Sequence, residues 1–584
     1  MTKAAIVCLC VASIAAATAA AAGSDQVRQS FSSCNKSSRS GSSGGAGRGV
    51  AGREQGNEGR WRMRKHAGTF GGALKTASTK IRQKRELSPS EGIVATLRGG
   101  TIKNASGGTK AVNALPREAG LVEVPQLRGG TAVHAGGDPQ GEMSVATAVL
   151  NIVADLCPHG MLPVAYGMAA FGGTGLVVAP ALLAAFGIVS AYTMVSLGRA
   201  SERTRLWSFR SLWAELVGKD TAWVIEVAMA LLTFGCCIFY MAFAGDLFSA
   251  LAQNVSFLPA ILKKRAVDLG LLSLFPVLPL CLMKNLNALQ YTSFFGVVSI
   301  LYTVSFVIKR SLDGSYSEAG RFFEAIEAKY RSPVPQPWDS VKLWRVGPGL
   351  ATLMNMSCVA FMCHYNGVKY YEELRHRTVK KYALTIGISM TICLGVFSLM
   401  MLFGYRTFGA AAQALILNNY HRADDPLASL ARVATGCSIL CGYPLMFAAL
   451  KTSFFNAASE IAEKLGDAGK KISPRFQDDE ELRLGCILSL MAVITTIACY
   501  QSEEDLGLIV GLIGAVLGSA ANYIIPAVLN LSLLRRGGKQ RGLLSEATLN
   551  KAIIVFGVLF MIAGTASVFR QGGSHGEGSH AKVA

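Results

Sequence analysis

Long apolar runs fill the chain from Met143 to about residue 569, and they constrain the fold more than any other feature. Eleven of them are long enough to cross the hydrocarbon core of a bilayer, which takes about 20 helical residues. We place these spans at 144–170, 173–198, 221–251, 267–284, 290–309, 346–367, 383–404, 425–452, 483–500, 505–535 and 549–569. With 51% hydrophobic and only 16% charged residues among 584, the sequence predicts an all-α polytopic membrane protein.

Composition divides the chain into four segments. Residues 1–22 have the apolar core and small-residue ending of a signal-like targeting segment. Residues 23–142 are rich in Gly, Ser, Arg and Lys without sustained periodicity, and we expect a disordered basic leader or tail. The membrane domain follows at 143–569, and residues 570–584 form a polar C-terminal tail.

The charge distribution bears on partners and topology. More than half of the net charge of +20 lies in residues 1–143, which hold 20 Lys and Arg against 9 Asp and Glu, and no nucleic-acid-binding motif accompanies it. We therefore expect no nucleic-acid partner. The loops after spans two, six, eight and ten are basic, which favours an N-terminus on the cytosolic side.

A cleaved secretory signal would invert that topology. Either the leader acts in two steps and directs the protein to an organelle membrane such as a plastid envelope, or the tail is uncleaved on a protein of the plasma or endolysosomal membrane. The sequence leaves the compartment open.

Span one carries helix breakers in its middle, within the stretch NIVADLCPHGMLPVAY from Asn151 to Tyr166. Pro158, Gly160 and Pro163 predict a broken helix there, because a proline removes a backbone donor and frees a carbonyl. Irregular backbone at membrane depth survives only where it lines a cavity or is buried in protein, so a binding site is indicated. The alternative is a proline-kinked packing helix.

Asp155 and His159 stand four residues apart in the same stretch and would share one face of a helix. Ionisable residues at membrane depth are costly, which makes this pair a candidate for proton coupling. No nucleotide-binding loop, metal cluster or nucleophile with its base appears in the loops, so we expect no enzymatic activity, no cofactor and no metal.

Several spans carry motifs that together resemble the amino acid/auxin permease superfamily, especially its neutral amino-acid transporters coupled to sodium or protons. The resemblance covers about 144–569. The motifs are Phe234-Gly235-Cys236-Cys237 with Tyr240 and Gly245-Asp246-Leu247, Pro279 to Leu286, Tyr291-Thr292-Ser293, Phe361-Met362-Cys363-His364-Tyr365-Asn366, and Gly404 to Gly409. Span one departs from the family pattern, because Leu156-Cys157-Pro158 stands where a Gly-small-Gly turn is expected.

The resemblance implies a LeuT-like inverted-repeat fold in which spans one and six are broken and enclose the substrate. The implied substrate-binding residues are Asn151, Cys157, Pro158, His159, Gly160, Phe361, Cys363, His364 and Asn366. The candidates for ion coupling are Asp155, His159, Thr435 and Ser438. For His364, an interhelical hydrogen bond is an equal alternative, and we expect Glu226 to meet interfacial water or a neighbouring helix.

The resemblance also implies the function. We expect a secondary active transporter of small neutral amino acids that works by alternating access and is driven by a proton or sodium gradient. An amino-acid sensor of the same fold, signalling through its N-terminal tail, and a channel are the alternatives. The expected partners are the amino-acid substrate and the lipid bilayer, and the oligomeric state stays open.

Overall fold

The computed structural model describes residues 141–282, 289–334, 341–421, 424–501, 503–536 and 545–580, and the predictions for the targeting segment and basic leader fall outside these ranges. Its α-helices are α1 (Val145–Gly160), α2 (Val164–Ala169), α3 (Val178–Thr204), α4 (Phe209–Leu216), α5 (Ala222–Asn254), α6 (Arg265–Leu272), α7 (Leu278–Leu282), α8 (Leu289–Leu312), α9 (Gly349–Ala360), α10 (Gly367–Glu372), α11 (Val379–Phe408), α12 (Pro426–Lys464), α13 (Asp467–Ile472), α14 (Arg475–Asp478), α15 (Glu480–Cys499), α16 (Glu503–Leu512), α17 (Ile525–Arg536) and α18 (Glu546–His580). Three π-helical segments connect some of them: Ser273–Val277, Ile513–Gly518 and Ala520–Ile524.

Nine helical segments in the described ranges are long and apolar enough to cross a membrane. They are Val178–Thr204, Lys219–Asn254, Arg265–Leu282, Ser293–Leu312, Val379–Ala411, Pro426–Lys464, Glu480–Cys499, Leu506–Arg536 and Glu546–Arg570. Helices α1 and α2 make a tenth if the bent pair counts as one span. The sixth predicted span differs from a continuous crossing helix, because α9 has only 12 residues before the backbone becomes irregular.

Helix α12 runs through the domain and packs along α5 and α8. Its start is well defined: the Asp425 side chain accepts hydrogen bonds from the backbone N–H groups of Leu427 and Ala428, and Pro426 occupies the first helical position. From Asp425 to Asn456 the helix covers about 45 Å at 1.5 Å per residue. The two ends of α12 therefore belong to opposite faces of the domain.

The segment before α1 is hydrogen-bonded to the segment after α10. The Met143 N–H donates to the Glu373 carbonyl at 2.9 Å, and the Arg375 N–H donates to the Met143 carbonyl at 2.9 Å. A Cβ on Gly141 would lie 2.1 Å from the Glu373 carbonyl carbon, so this close approach needs a glycine. The start of α1 and the end of α10 thus lie together on one face.

Candidate functional site

Helices α1 and α2 meet at a bend of 47°, with residues 161–163 between them. The helix ends at Gly160 and bends there, whereas Pro158 does not end it, because α1 runs through Pro158 and stops only after Gly160. Pro158 cannot donate to the Ala154 carbonyl, but the surrounding helices bury this stretch and hold the helix together. Cys157, Pro158, His159 and Gly160 therefore lie in helical backbone and do not form an unwound turn.

The end of α1 lies against the end of α9. A Cβ on Gly160 would lie 2.8 Å from the Ala360 carbonyl oxygen and 2.5 Å from Cζ of Phe397, so nothing larger than glycine fits. After Ala360 the backbone is irregular for Phe361, Met362 and Cys363, and a single 3₁₀ turn at His364–Asn366 leads into α10. Phe361 is fully buried and its ring meets that of Phe397 edge-on at 5.2 Å.

Asp155 joins α1 to the segment after that irregular stretch. Its carboxylate accepts hydrogen bonds from the hydroxyls of Tyr365 at 2.7 Å and Tyr370 at 2.8 Å, and from the Asn366 amide at 3.4 Å. The side chain is 1% exposed. All three donors are neutral, and within the described ranges no cationic side chain forms an ion pair with Asp155. We name Asp155, Tyr365, Asn366 and Tyr370 the Asp155 cluster.

His159 points to a different set of partners than Asp155. Its Nε2 lies 3.2 Å from the Val359 carbonyl, which can only accept, so Nε2 carries a proton. Its Nδ1 lies 2.6 Å from the Tyr240 hydroxyl, which is also 3.1 Å from the Asp155 carbonyl oxygen. When the His159 ring is neutral, its Nδ1 accepts a hydrogen bond from the Tyr240 hydroxyl. When the ring is protonated, Nδ1 donates to the Tyr240 oxygen, and the hydroxyl then donates to the Asp155 carbonyl.

The remaining candidates on spans one and six are packed among other helices. His364 Nε2 lies 2.9 Å from the Thr193 hydroxyl on α3, which is the interhelical hydrogen bond expected as the alternative for this residue. The thiols of Cys157 and Cys393 are 3.7 Å apart across α1 and α11. Cys363 is fully buried.

Thr435 and Ser438, the candidates for a sodium site, both face α8. The Thr435 hydroxyl lies 2.9 Å from that of Thr303, and the Ser438 hydroxyl donates to the Gly296 carbonyl at 3.5 Å. Ala154 of α1 is close by: its carbonyl oxygen lies 3.7 Å from the position that a Cβ would take on Gly442 of α12. Helices α1, α8 and α12 therefore meet at the carbonyl that Pro158 leaves without its usual donor.

A cavity of about 760 Å³ opens on the face that holds Met143 and the end of α10. Its walls come from the start of α1, the start of α5, α10 and the second half of α12, and the exposed residues Glu142, Ser144 and Ser208 lie at its mouth. We call it the vestibule. Its lining includes Asn151, Glu226, Tyr365, Asn366, Lys369, Tyr370, Ser453 and Asn456.

Of the nine predicted substrate-binding residues, the vestibule brings together only Asn151 and Asn366. Cys157, Pro158, His159, Gly160, Phe361, Cys363 and His364 are buried beyond it and do not line it. Sequence reasoning missed Tyr365, Tyr370 and Tyr240 as polar partners of span one. Tyr365 lies inside the Phe361–Asn366 motif, and Tyr240 follows the Phe234–Cys237 motif, so both were within reach of the signal that marked these spans.

The opposite face of the domain is held by an ion pair. Arg310, at the end of α8, donates from Nη2 and Nε to the two carboxylate oxygens of Asp425 at 2.6 and 2.9 Å. The Tyr316 hydroxyl donates to the same carboxylate at 2.9 Å, and Asp425 is fully buried. Burial, and next the charge of Asp425, raise the pKa of the Tyr316 hydroxyl, which keeps its proton. We name these three residues the Asp425 cluster.

Comparison with known proteins relates the whole membrane domain to one family. The family model for the transmembrane amino acid transporter protein matches residues 141–570. Sodium-coupled neutral amino acid transporter 7 of Mus musculus is 25% identical over 403 residues, which cover 67% of this chain and 80% of the relative. Vacuolar amino acid transporter 2 of Saccharomyces cerevisiae is 22% identical over 458 residues, covering 75% and 86%. A solved nucleobase-cation-symport-1 family transporter, in a closed conformation, shares 11% identity with a TM-score of 0.43 over 74% of this chain and 91% of that one.

Proposed function

Because the chain belongs to the transmembrane amino acid transporter family, we propose that it moves small neutral amino acids across a membrane by alternating access, driven by a proton or sodium gradient. Membership confirms the resemblance seen in the motifs of spans three to seven. The family consists of transporters, so the protein is not an enzyme. The many apolar helices make it an integral, multi-pass membrane protein.

The observation that carries the proposal is the vestibule, which ends at the Asp155 cluster. Tyr365, Asn366 and Tyr370 line the vestibule and also hold the carboxylate of Asp155. A solute that enters from this face therefore reaches the groups that join α1 to α10. The Asp425 cluster ties α8 to α12 at the far end of α12. The domain is thus open at the vestibule on one face and closed by the Asp425 cluster on the other, and this arrangement supports alternating access.

We further infer that the domain has eleven spans, of which spans one and six are broken as in LeuT-like folds. Helices α1 and α2 would form span one, and α9 with α10 would form span six. The contact of Gly160 with the Ala360 carbonyl supports this assignment, because the two helix ends meet at one depth. Helix ends that face each other inside a membrane domain leave backbone groups available for a substrate.

Coupling is assigned to Asp155 for protons, with the Ala154 carbonyl and Ser438 as the alternative for sodium. Asp155 accepts only from neutral donors, so a proton is the cation that it can take up and release without breaking an ion pair. A hard cation such as Na⁺ wants oxygen ligands, which the Ala154 carbonyl and the Ser438 hydroxyl supply between α1 and α12. The mouse relative is named as sodium-coupled.

Uptake by purified protein in liposomes tests the proposed function. Labelled L-alanine should accumulate above its external concentration when a proton or a sodium gradient is imposed, and the gradient that drives it identifies the coupling ion. Binding of L-alanine without flux under either gradient would contradict transport and would favour a sensor. Flux that never exceeds equilibration would favour a channel.

For the compartment we propose an organelle membrane reached through a two-step leader, such as a plastid envelope. The basic loops support this, because a singly cleaved secretory signal would place them against the positive-inside rule. The yeast relative is named as vacuolar, which supports the alternative of an uncleaved tail on an endolysosomal or plasma membrane. Sequencing the N-terminus of the protein from its native membrane decides between them, since a start at Met1 or Thr2 contradicts the leader.

A further inference from the structure

Besides Asp155, which lies behind the residues that line the vestibule, the cavity has a second buried carboxylate in its own wall. Glu226 lies on α5, is 4% exposed and lines the cavity. Its carboxylate faces the side chains of Ser453 and Asn456 on α12, which line the cavity as well. The Asn456 amide oxygen is 3.5 Å from the Gln477 amide nitrogen. Both neighbours of Glu226 are neutral.

Arg210, the cationic side chain that acts on Glu226, is paired with another carboxylate. Arg210 acts on Glu226 through space, but its guanidinium pairs with Glu460, Nε to Oε2, at 3.0 Å. Among the described lining residues the charged groups are Glu142, Glu226, Lys369, Glu372 and Glu373, and Lys369 pairs with Glu373 at 3.7 Å. The interior of the vestibule is therefore acidic although the loops around it are basic.

A further acceptor lies on the same cavity. The amide oxygen of Asn151 is buried and has no hydrogen-bond partner in the part of the chain that the structure describes. The Asn151 NH₂ group is directed at the Met143 sulfur at 3.4 Å, so the oxygen is the free end. A buried acceptor without a partner costs about 1–3 kcal/mol, which a bound donor would recover. The vestibule thus offers two acceptors, the Glu226 carboxylate and the Asn151 amide oxygen, to a bound donor.

We propose that Glu226 is a specificity-determining residue that binds the ammonium group of the amino acid in the vestibule, which makes this cavity a substrate subsite. The inference rests on the proposed function and names the substrate class more closely: solutes with an ammonium group are accepted, and anionic amino acids are rejected. An ammonium group in this position satisfies Glu226 by a charge-assisted hydrogen bond.

The test uses two probes that differ only at the group in question. L-lactate has the skeleton of L-alanine with a hydroxyl in place of the ammonium group. Displacement of labelled L-alanine from the purified full chain in detergent gives the affinities of L-alanine, L-lactate and L-glutamate. In the wild type, L-lactate and L-glutamate should bind at least about tenfold more weakly than L-alanine.

Glu226→Gln keeps the shape of the side chain but removes its charge. We expect the ratio of L-lactate to L-alanine affinity to change by about tenfold in favour of L-lactate, with an unchanged unfolding temperature. Glu142→Gln is the matched control, because it makes the same chemical change at the exposed mouth and should leave the ratio unaltered. If Glu226→Gln does not fold, Glu226→Asp takes its place, because it shortens the side chain by one methylene group and withdraws the carboxylate from the cavity, and the ratio should change in the same direction.

The outcomes separate the two claims. L-alanine binding in the wild type with an unchanged ratio in both variants overturns the role of Glu226 and leaves transport standing. A loss of stability in Glu226→Gln with the ratio preserved also overturns it, because Glu226 then only joins α5 to α12. No binding and no flux of any amino acid in the wild type overturns the proposed function, and the inference with it.

Discussion

Two buried aspartates mark opposite faces of this protein, and their surroundings differ in one respect. Asp425 is held by Nε and Nη2 of the Arg310 guanidinium, by the Tyr316 hydroxyl and by two backbone N–H groups at the start of α12. Asp155 is held by two tyrosine hydroxyls and an amide. Their exposed fractions, 0% and 1%, are nearly the same. Burial alone therefore does not separate a fixed charge from an exchangeable one, whereas the charge of the donors does.

The difference indicates what each carboxylate can do. The Asp425 cluster has a permanent cation and satisfied oxygens, so it stabilises one arrangement of α8 and α12. On the proposed function, the Asp155 carboxylate, whose hydrogen-bond donors are all neutral, is neutralised by a proton that binds and leaves during the transport cycle. The predictions below break or sharpen this contrast, and they run from the largest expected effect to the smallest.

Arg310→Ala should cost about 3–5 kcal/mol in the free energy of unfolding, because it leaves the Asp425 carboxylate buried and without its cation. Thermal unfolding of the purified protein in detergent measures the loss. Lys309→Ala is the matched control, since Lys309 is exposed and lies 3.9 Å from Asp313, and it should cost less than about 1 kcal/mol. Equal losses in the two variants would show that the Arg310–Asp425 pair is no more than a surface contact.

The two tyrosines sharpen the comparison directly. Tyr316→Phe removes a hydrogen bond to a fixed anion and also the acceptor of the His421 N–H, and should cost about 1.5–3 kcal/mol. Tyr370→Phe removes one hydrogen bond to a carboxylate that can be neutral, and should cost about 0.5–1.5 kcal/mol. Unfolding measured under the same conditions compares them. A cost for Tyr370→Phe as large as that for Tyr316→Phe would mean that Asp155 is as fixed an anion as Asp425.

Asp155→Asn should change stability by only about 1 kcal/mol, because an amide of the same shape still accepts a hydrogen bond from one tyrosine and can donate to the hydroxyl of the other. It should nevertheless flatten the pH dependence of uptake between about pH 5 and about pH 8, since the proton-binding group is gone. Uptake of labelled L-alanine into liposomes across that range measures the effect. A variant with the wild-type profile would exclude Asp155 as the proton carrier and leave His159 or sodium.

Removal of residues 1–142 should have the smallest effect. A chain that begins at Met143 keeps the hydrogen bonds to Glu373 and Arg375, and the removed part lacks the apolar content to build a core. Uptake in liposomes should equal that of the full chain. A folded truncation without uptake would assign the leader a part in gating.

The sequence alone predicted those parts of the fold that depend on neighbouring residues. Apolar runs located the nine long helices, and the spacing of Asp155 and His159 placed both on α1. The donors that hold these side chains come from residues 81–215 positions away, and no local pattern reports such contacts. For the same reason Pro158 was expected to end a helix that the packing of α9 and α11 preserves.

Glu226 is a second residue whose surroundings could not be predicted from neighbouring residues in the sequence. As a lone acidic residue near the start of a span, it was assigned to interfacial water or a neighbouring helix. In the structure its carboxylate faces Ser453 and Asn456 of the neighbouring helix α12. It also lies in the wall of a cavity that forms only when α1, α5, α10 and α12 come together. Function at this position depends on four elements that are separated along the chain.

The short backbone pairing of Met143 with Glu373 and Arg375 has a kinematic consequence. If α1 tilts during the transport cycle, the end of α10 has to move with it, or both hydrogen bonds must break. The two segments therefore move as one rigid unit. Spin labels at positions 143 and 374 would then report a constant separation. The distance from a label at either position to a label on α12 would change by the full range of the movement.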